Sequence, residues 1–302
     1  MEHVRTITRE FETGEKAVLH LESRSGSVTI EGRASDRIVV EAAVHVWTDL
    51  SSEADDAASL VARSMEQDAH RVIVRAPSLR TDEGRGIFTL VGMKRSRIDY
   101  RVRVPLRTAV RVLSRSGAVQ IMHIEGLVHT EAMSGRVGIE DVKGDVTAIT
   151  RSGALLVERV TGNLAVDARS GKVRIKGVSG ALGIEARSGS IEIEDVEGDV
   201  RLMSRAGSVS VANAGGKLYA RTRAGSTRYR GRVAGDFDIE AHAGSITLAV
   251  DPDYPFFIDA ESHVGSVRSD LPPRRNGATP AEGGPKVRLR SHAGSIRLTR
   301  AD

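Results

Sequence analysis

Residues 164–198 read LAVDARSGKVRIKGVSGALGIEARSGSIEIEDVEG, one 18-residue pattern written almost twice. Gly171 and Gly189 hold the same place in the two copies, and Gly162, Gly180 and Gly198 fall midway. Around them apolar residues alternate with polar ones: Leu164 and Val166, Val173 and Ile175, then Leu182 and Ile184, Ile191 and Ile193. Such alternation over about five positions, bounded by glycine, marks a half-buried strand. Each unit therefore supplies two short strands and two turns.

Followed outward, the pattern governs most of the chain. Gly117, Gly135, Gly153, Gly171, Gly189, Gly207 and Gly225 are each 18 residues apart, with Gly126, Gly144, Gly162, Gly180, Gly198 and Gly216 between them. Looser copies follow at Gly244, Gly265 and Gly294, and an early one stands at Gly26 in SRSGSVTIEG. Two short strands cannot bury a face alone, but stacked units about 4.8 Å apart cover one another. The expected fold is all-β: a single-stranded parallel β-helix, or β-solenoid, with 18-residue coils and one short helix in an N-terminal insertion. Two relatives of that architecture are excluded. A left-handed hexapeptide helix needs an apolar residue every six positions, and counting from Val128 meets Ser134 and Glu140. A calcium-binding β-roll needs G-G-x-G-x-D-x-U-x, whereas Asp145, Asp199 and Asp236 follow glycine directly.

Of the 302 residues, 40% are hydrophobic and 28% charged, but only 3% are aromatic, so the core must be built from Val, Ile, Leu and Ala. The chain has no cysteine, which removes disulfides, thiolate metal sites and thiol catalysis. No apolar run approaches the roughly 20 residues of a membrane span, and MEHVRTITREFETGEK lacks the apolar segment of a signal peptide. The chain as written is expected in the cytoplasm, with envelope association left open.

Two domains are expected. Residues 1–112 form an N-terminal β cap that contains the first coil and a helical insertion; residues 113–302 form the repeat array, with a loop insertion at about 269–286. Within the cap, RIVVEAAVHVW is a strand and SSEADDAASLVARSMEQDA a helix over about 52–69, with Ser51 or Ser52 as N-cap. HRVIVRAP and RIDYRVRVP are strands, and the segment between them carries Phe88, Leu90 and Val91, read as a hairpin tip or an exposed contact. At the far end Arg288, Arg290, Arg297 and Arg300 are read as charged guards of an open strand edge.

The repeated S-R-S-G-x-V-x-I and G-D-V-x-x motifs, the strand IDYRVRVP before the array and the last coil entered through a long loop carry a resemblance. Over about residues 15–300 the chain resembles a bacterial β-strand-repeat family of unknown function described as adhesins. The resemblance implies a single-chain β-helix and an adhesin-like or envelope-associated role.

No catalytic constellation emerges. Glu140 with Asp141 and Glu194 with Asp195 are the nearest approach to paired carboxylates, but they stand three coils apart, roughly 14 Å by strand spacing. A P-loop, a nucleophile elbow and H-E-x-x-H are all missing. No enzyme activity, cofactor or metal is expected. A column of cations does emerge: Arg24, Arg115, Arg151, Arg169, Arg187, Arg205 and Arg223 each stand two residues before a repeat glycine, followed by His242, His263 and His292. Asp167 and Glu185 are read as neutralising its middle rungs. From Val200 to Gly235 there are eight basic residues and no acid: Arg201, Arg205, Lys217, Arg221, Arg223, Arg228, Arg230 and Arg232, with Tyr219 and Tyr229 among them. That block is the expected polyanion-binding face. The functional expectation is a non-enzymatic adhesin-like binding or scaffold module. Its partner is open, with a polyanion or an envelope component as the candidates and homo-oligomers through the solenoid ends allowed. A cytoplasmic self-assembling scaffold is the alternative, and a β-helix carbohydrate enzyme a weaker one.

Overall fold

The computed structural model describes residues 1–77, 95–251, 256–271 and 284–301. Phe88, Leu90 and Val91 and most of the 269–286 loop lie outside them. The chain forms two compact units, Met1–Asp145 and Val146–Asp302.

The first unit contains β1 (Glu2–Glu12), β2 (Lys16–Ser23), β3 (Val28–Arg33), β4 (Arg37–Trp47), α1 (Ser51–Arg63), β5 (Met65–Asp68), β6 (Arg71–Arg75), β7 (Arg95–Pro105), β8 (Arg107–Ser116), β9 (Val119–Ile124) and β10 (Val128–Lys143). Strands β2 and β3 make the first coil, β8 and β9 the second, and β10 the third, bent through both sheets; the coils pair in parallel. On the other side of the first coil, β6 pairs with β2 and β7 with β3, also in parallel. The insertion thus returns as a further layer beneath the coil that precedes it in sequence. Antiparallel pairing then replaces the coil pattern: β4 on β7, β1 on β4, and β5 on β6.

Helix α1 is shorter than the sequence suggests, and its cap differs. It ends at Arg63 because Met65–Asp68 is drawn into the sheet as β5. The N-cap position is Leu50, which has no capping side chain. Thr48 does the work instead: its hydroxyl accepts from the Leu50 N–H at 3.2 Å and donates to the buried Glu53 carboxylate.

The second unit contains β11 (Val146–Thr161), β12 (Leu164–Val178), β13 (Leu182–Val196), β14 (Val200–Ala206), β15 (Val209–Ala214), β16 (Leu218–Ala224), β17 (Thr227–Gly231), β18 (Phe237–Ala243), β19 (Ile246–Val250), β20 (Phe257–Val264), β21 (Val267–Ser269), β22 (Lys286–Ala293) and β23 (Ile296–Arg300). Coils pair in parallel at the repeat offset, as in Leu164↔Leu182, Gly171↔Gly189 and Val173↔Ile191. One sheet runs β14–β16–β18 and the other β15–β17–β19. The inward columns, such as Val166, Ile184, Leu202, Ala220 and Ile239, are buried. Each fully buried Val, Leu or Ile contributes about 1.5–3 kcal/mol, which is how an aliphatic core holds strands too short to fold alone.

The last coils do not stack in sequence order. Strands β22 and β23 pair with β18 and β19 on one side and with β20 and β21 on the other. The outermost coil is therefore 257–269, and Arg288, Arg290, Arg297 and Arg300 sit on strands paired along both edges, not at the open end. On the outermost coil the inward-column residues Ile258 and Val267 are 40% and 44% exposed, and among the described residues no further strand pairs beyond them.

Asp99 ties the first coil of the first unit to the layer beneath it. Its Oδ1 accepts from the Ser27 N–H at 2.6 Å and the Ser27 hydroxyl at 2.8 Å, while Oδ2 lies 3.0 Å from Arg97 Nε and 3.2 Å from His45 Nε2. Burial pushes this carboxyl up, but the two Ser27 bonds, Arg97 and His45 outweigh it, so the net shift is downward. A lowered folded-state value contributes stability above the ordinary carboxyl range and loses it as the pH falls through the folded value. Asp99→Asn is expected to destabilise the first unit by about 1–3 kcal/mol at neutral pH and to flatten the acid limb of its stability curve. A urea titration at several pH values between neutral and strongly acid checks both effects.

Candidate functional site

All eight residues of the basic block are exposed, but the fold separates them. Arg201, Arg205, Arg221 and Arg223 stand on the outer face of the β14–β16–β18 sheet. Arg228 and Arg230 stand on β17, in the other sheet, and Lys217 and Arg232 lie in turns. Tyr229 is not on the surface at all. It is 1% exposed, edge-on to Phe237 with 4.7 Å between ring centroids, and its hydroxyl donates to the Arg232 carbonyl at 2.5 Å. Tyr219 is the aromatic that meets the cations: Arg201 and Arg221 lie 5.2 and 4.9 Å from its ring centroid, in cation–π geometry.

A groove of about 780 Å³ runs over the outer face of the first sheet. One wall is the column Arg187, Arg205, Arg223 and His242; the facing wall is Asp167, Glu185, Met203, Arg221 and Glu240; Ala186, Ser204 and Thr222 lie between. The register explains the two walls, since alternate residues of a strand point to the same face, about 6.6 Å apart. Successive rungs within a wall are one strand spacing apart, about 4.8 Å.

The two sheets treat their cations differently. On the second, Lys172 Nζ and Arg174 both reach Glu192, at 2.8 and 2.6 Å, and Lys176 lies 3.4 Å from Glu194. Lys172 and then Arg174 hold the half-buried Glu192 carboxyl below its usual range. On the first, Arg221 pairs with Glu240 at 3.1 Å. Yet neither Asp167 nor Glu185 comes within ion-pair distance of Arg169 or Arg187 among the described residues, so the middle rungs are not directly paired. Ser204, between the walls, has a buried hydroxyl with no hydrogen-bond partner among the described residues.

The reordered end coils extend the arginine column. Register places His242 beside Arg223, His292 beside His242 and His263 beside His292. The rings of His242 and His292 stack 4.9 Å apart at 3°, and those of His292 and His263 lie 5.3 Å apart at 35°. Among the described residues no three His, Asp or Glu side chains are grouped as a metal site would require.

Of the carboxylates weighed for acid–base work, Glu194 and Asp195 are otherwise engaged. Glu194 faces Lys176, and Asp195 accepts from Asn213 Nδ2 at 2.9 Å. Sequence reading missed Glu240 as a member of the groove, because it belongs to the next coil. The signal was present in the register, since the offset across that coil pair sets Glu240 opposite Arg221.

The Toastrack DUF4097 family profile matches residues 18–299. The chain belongs to the Toastrack DUF4097 family. No curated protein matches it. Among solved structures, the chain is similar to a candidate cell adhesion protein from Clostridium sporogenes ATCC 15579, 11% identical, covering 99% of this chain and 100% of its own, with a TM-score of 0.22. A candidate adhesin from Bacteroides fragilis NCTC 9343 is 11% identical, covering 97% of each chain, with a TM-score of 0.26. Among the described residues of this Toastrack chain no helix is long and apolar enough to cross a membrane.

Proposed function

We propose that the protein is a non-enzymatic, adhesin-like binding module whose first-sheet groove in the second unit captures polyanions. The observation that supports this reading is the column Arg187, Arg205 and Arg223 along one wall of an open groove, held at a fixed strand spacing. Cations carried on paired strands lose less backbone freedom on binding than those of a flexible basic tail. Arg201 and Arg221 flank the column's upstream side and share Tyr219. Arg228, Arg230, Lys217 and Arg232 lie off the groove and add only to the general field.

Heparin binding measured between about 50 and 200 mM salt tests the reading, because each phosphate-like contact steepens the salt dependence. The combined variant Arg187→Glu, Arg205→Glu and Arg223→Glu is expected to lose affinity by about 100-fold or more at low salt. Arg228→Glu with Arg230→Glu, on the other sheet, is expected to lose far less. A parent protein that binds no polyanion at low salt, or groove variants that bind like the parent, would sink the reading.

The outermost described coil favours a second reading, end-to-end assembly between copies, since Ile258, Val264 and Val267 are 40%, 68% and 44% exposed there. Light scattering over a concentration series decides it: a mass that does not change with concentration rules it out.

A further inference from the structure

We propose that the binding site is longer than the groove and takes one extended, unpaired polyanionic chain, laid across the strands from Arg151 to His263. This inference rests on the polyanion reading above and adds the ligand's form and the conditions under which its far end is held. In register the second unit's column is Arg151, Arg169, Arg187, Arg205, Arg223, His242, His292 and His263. Eight rungs at about 4.8 Å span about 34 Å. The column is one residue wide, and its facing wall stands about two residues, or 6.6 Å, away. On that wall Asp167, Glu185 and Glu240 outnumber Arg221, which is paired to Glu240, so the wall disfavours a second line of anionic charge. A single phosphate-bearing chain can follow such a track with one anion per rung. A nucleic acid duplex, whose major groove alone is about 12 Å wide, or a flat lipid surface would meet the acidic wall as well.

The last three rungs differ chemically from the first five. Arginine is charged at every ordinary pH, whereas histidine ordinarily gains its charge in the range just below neutrality. The groups facing the histidines are Arg221 and Arg223 from β16, Glu240 on β18, Arg290 on β22 and Glu261 on β20. Arg221, Arg223 and Arg290 are like-charged neighbours of a charged ring there, and Glu240, Glu261 and an anion lying along the column are its opposite-charged ones. The site therefore holds a short chain on its arginines at any pH and gains its distal grip on a long chain only in mild acid.

The test uses inorganic polyphosphate in two sizes, one too short to pass the arginine rungs and one long enough to span the column, at about pH 8 and pH 5.5. Long chains are expected to gain at least about tenfold in affinity on acidification, with a salt slope steeper by about 2 for three added contacts at roughly 0.7 each. Short chains should gain little. The variant His242→Gln, His263→Gln and His292→Gln is expected to abolish the acid gain for long chains. If long and short chains respond equally to acid, or the triple variant keeps the gain, this inference falls while the groove reading stands. If duplex DNA or anionic vesicles show the same histidine-dependent gain, the single-chain form is overturned. If polyphosphate binds at neither pH, both readings fall together.

Discussion

Gly171→Ala is expected to destabilise the second unit by well over 3 kcal/mol, whereas Gly177→Asn, six residues away, should change stability by less than about 1 kcal/mol. Both glycines have positive φ, but the 70° of Gly177 lies at the left-handed region other residues adopt, whereas the 124° of Gly171 lies beyond it. Space separates them further. A Cβ on Gly171 would collide with the carbonyl oxygen of Gly153 in the preceding coil, a backbone atom that cannot move without breaking the parallel ladder. A Cβ on Gly177 meets nothing nearer than the Arg159 backbone nitrogen at 3.7 Å. Its column already carries other residues at the same turn: Arg159 and Asp195 have φ of 55° and 57°. The left-handed conformation of a non-glycine residue costs about 1–2 kcal/mol, and asparagine bears it best. The clash at Gly171 comes on top of that strain, and the same carbonyl contact recurs at Gly189 against Gly171. Chemical denaturation of the two variants decides the matter; equal midpoints would show that neither backbone conformation nor the approach of neighbouring coils sets Gly171 apart.

The repeat made the second unit legible because its register is written once per coil and read many times. Alternation placed the inward columns correctly, and the glycine spacing located the corner between the sheets. What escaped was whatever depends on how coils meet. The block from Val200 to Gly235 contains no acid as a string of residues, but in space its Arg221 meets Glu240 at 3.1 Å. Asp167 and Arg169 share a face in the alternation, yet lying two residues apart did not bring them into an ion pair. The exchange of the last two coils was illegible for another reason: a step of 29 residues between glycines says that a loop intervenes, not which coil the chain rejoins. The column of three histidines was legible, but its order, His242, His292 and His263, follows only from that exchange. Tyr229 was an avoidable misplacement. It stands four residues after Gly225, the position that Val211 and Ile193 hold after Gly207 and Gly189, so the register already assigned it inward.

Phe237→Ala should be the most damaging truncation in the second unit, at about 3–5 kcal/mol. Phe237 is 1% exposed in a column between Leu218 and Val287, and its ring makes the edge-on contact with Tyr229. This pair sits where the glycine step lengthens from 18 to 19, between Gly225 and Gly244. The core there is filled by two large rings where neighbouring coils use Val, Leu and Ile, so the cavity left by alanine could not be closed by small shifts of rigidly paired strands. Tyr229→Phe separates the ring from its hydroxyl. It keeps the packing and loses the bond to the Arg232 carbonyl, for about 0.5–1.5 kcal/mol at neutral pH. The phenol adds an alkaline signature. Burial pushes its pKa up to about 12, so the stability it contributes is full below the ordinary tyrosine value near 10 and is lost as the pH rises from there through 12. Relative to the parent, Tyr229→Phe should therefore be the less stable protein at pH 7 and close the gap above pH 10. A parent and variant that stay separated by the same amount from pH 7 to pH 11 would place the Tyr229 hydroxyl in contact with solvent rather than in the core.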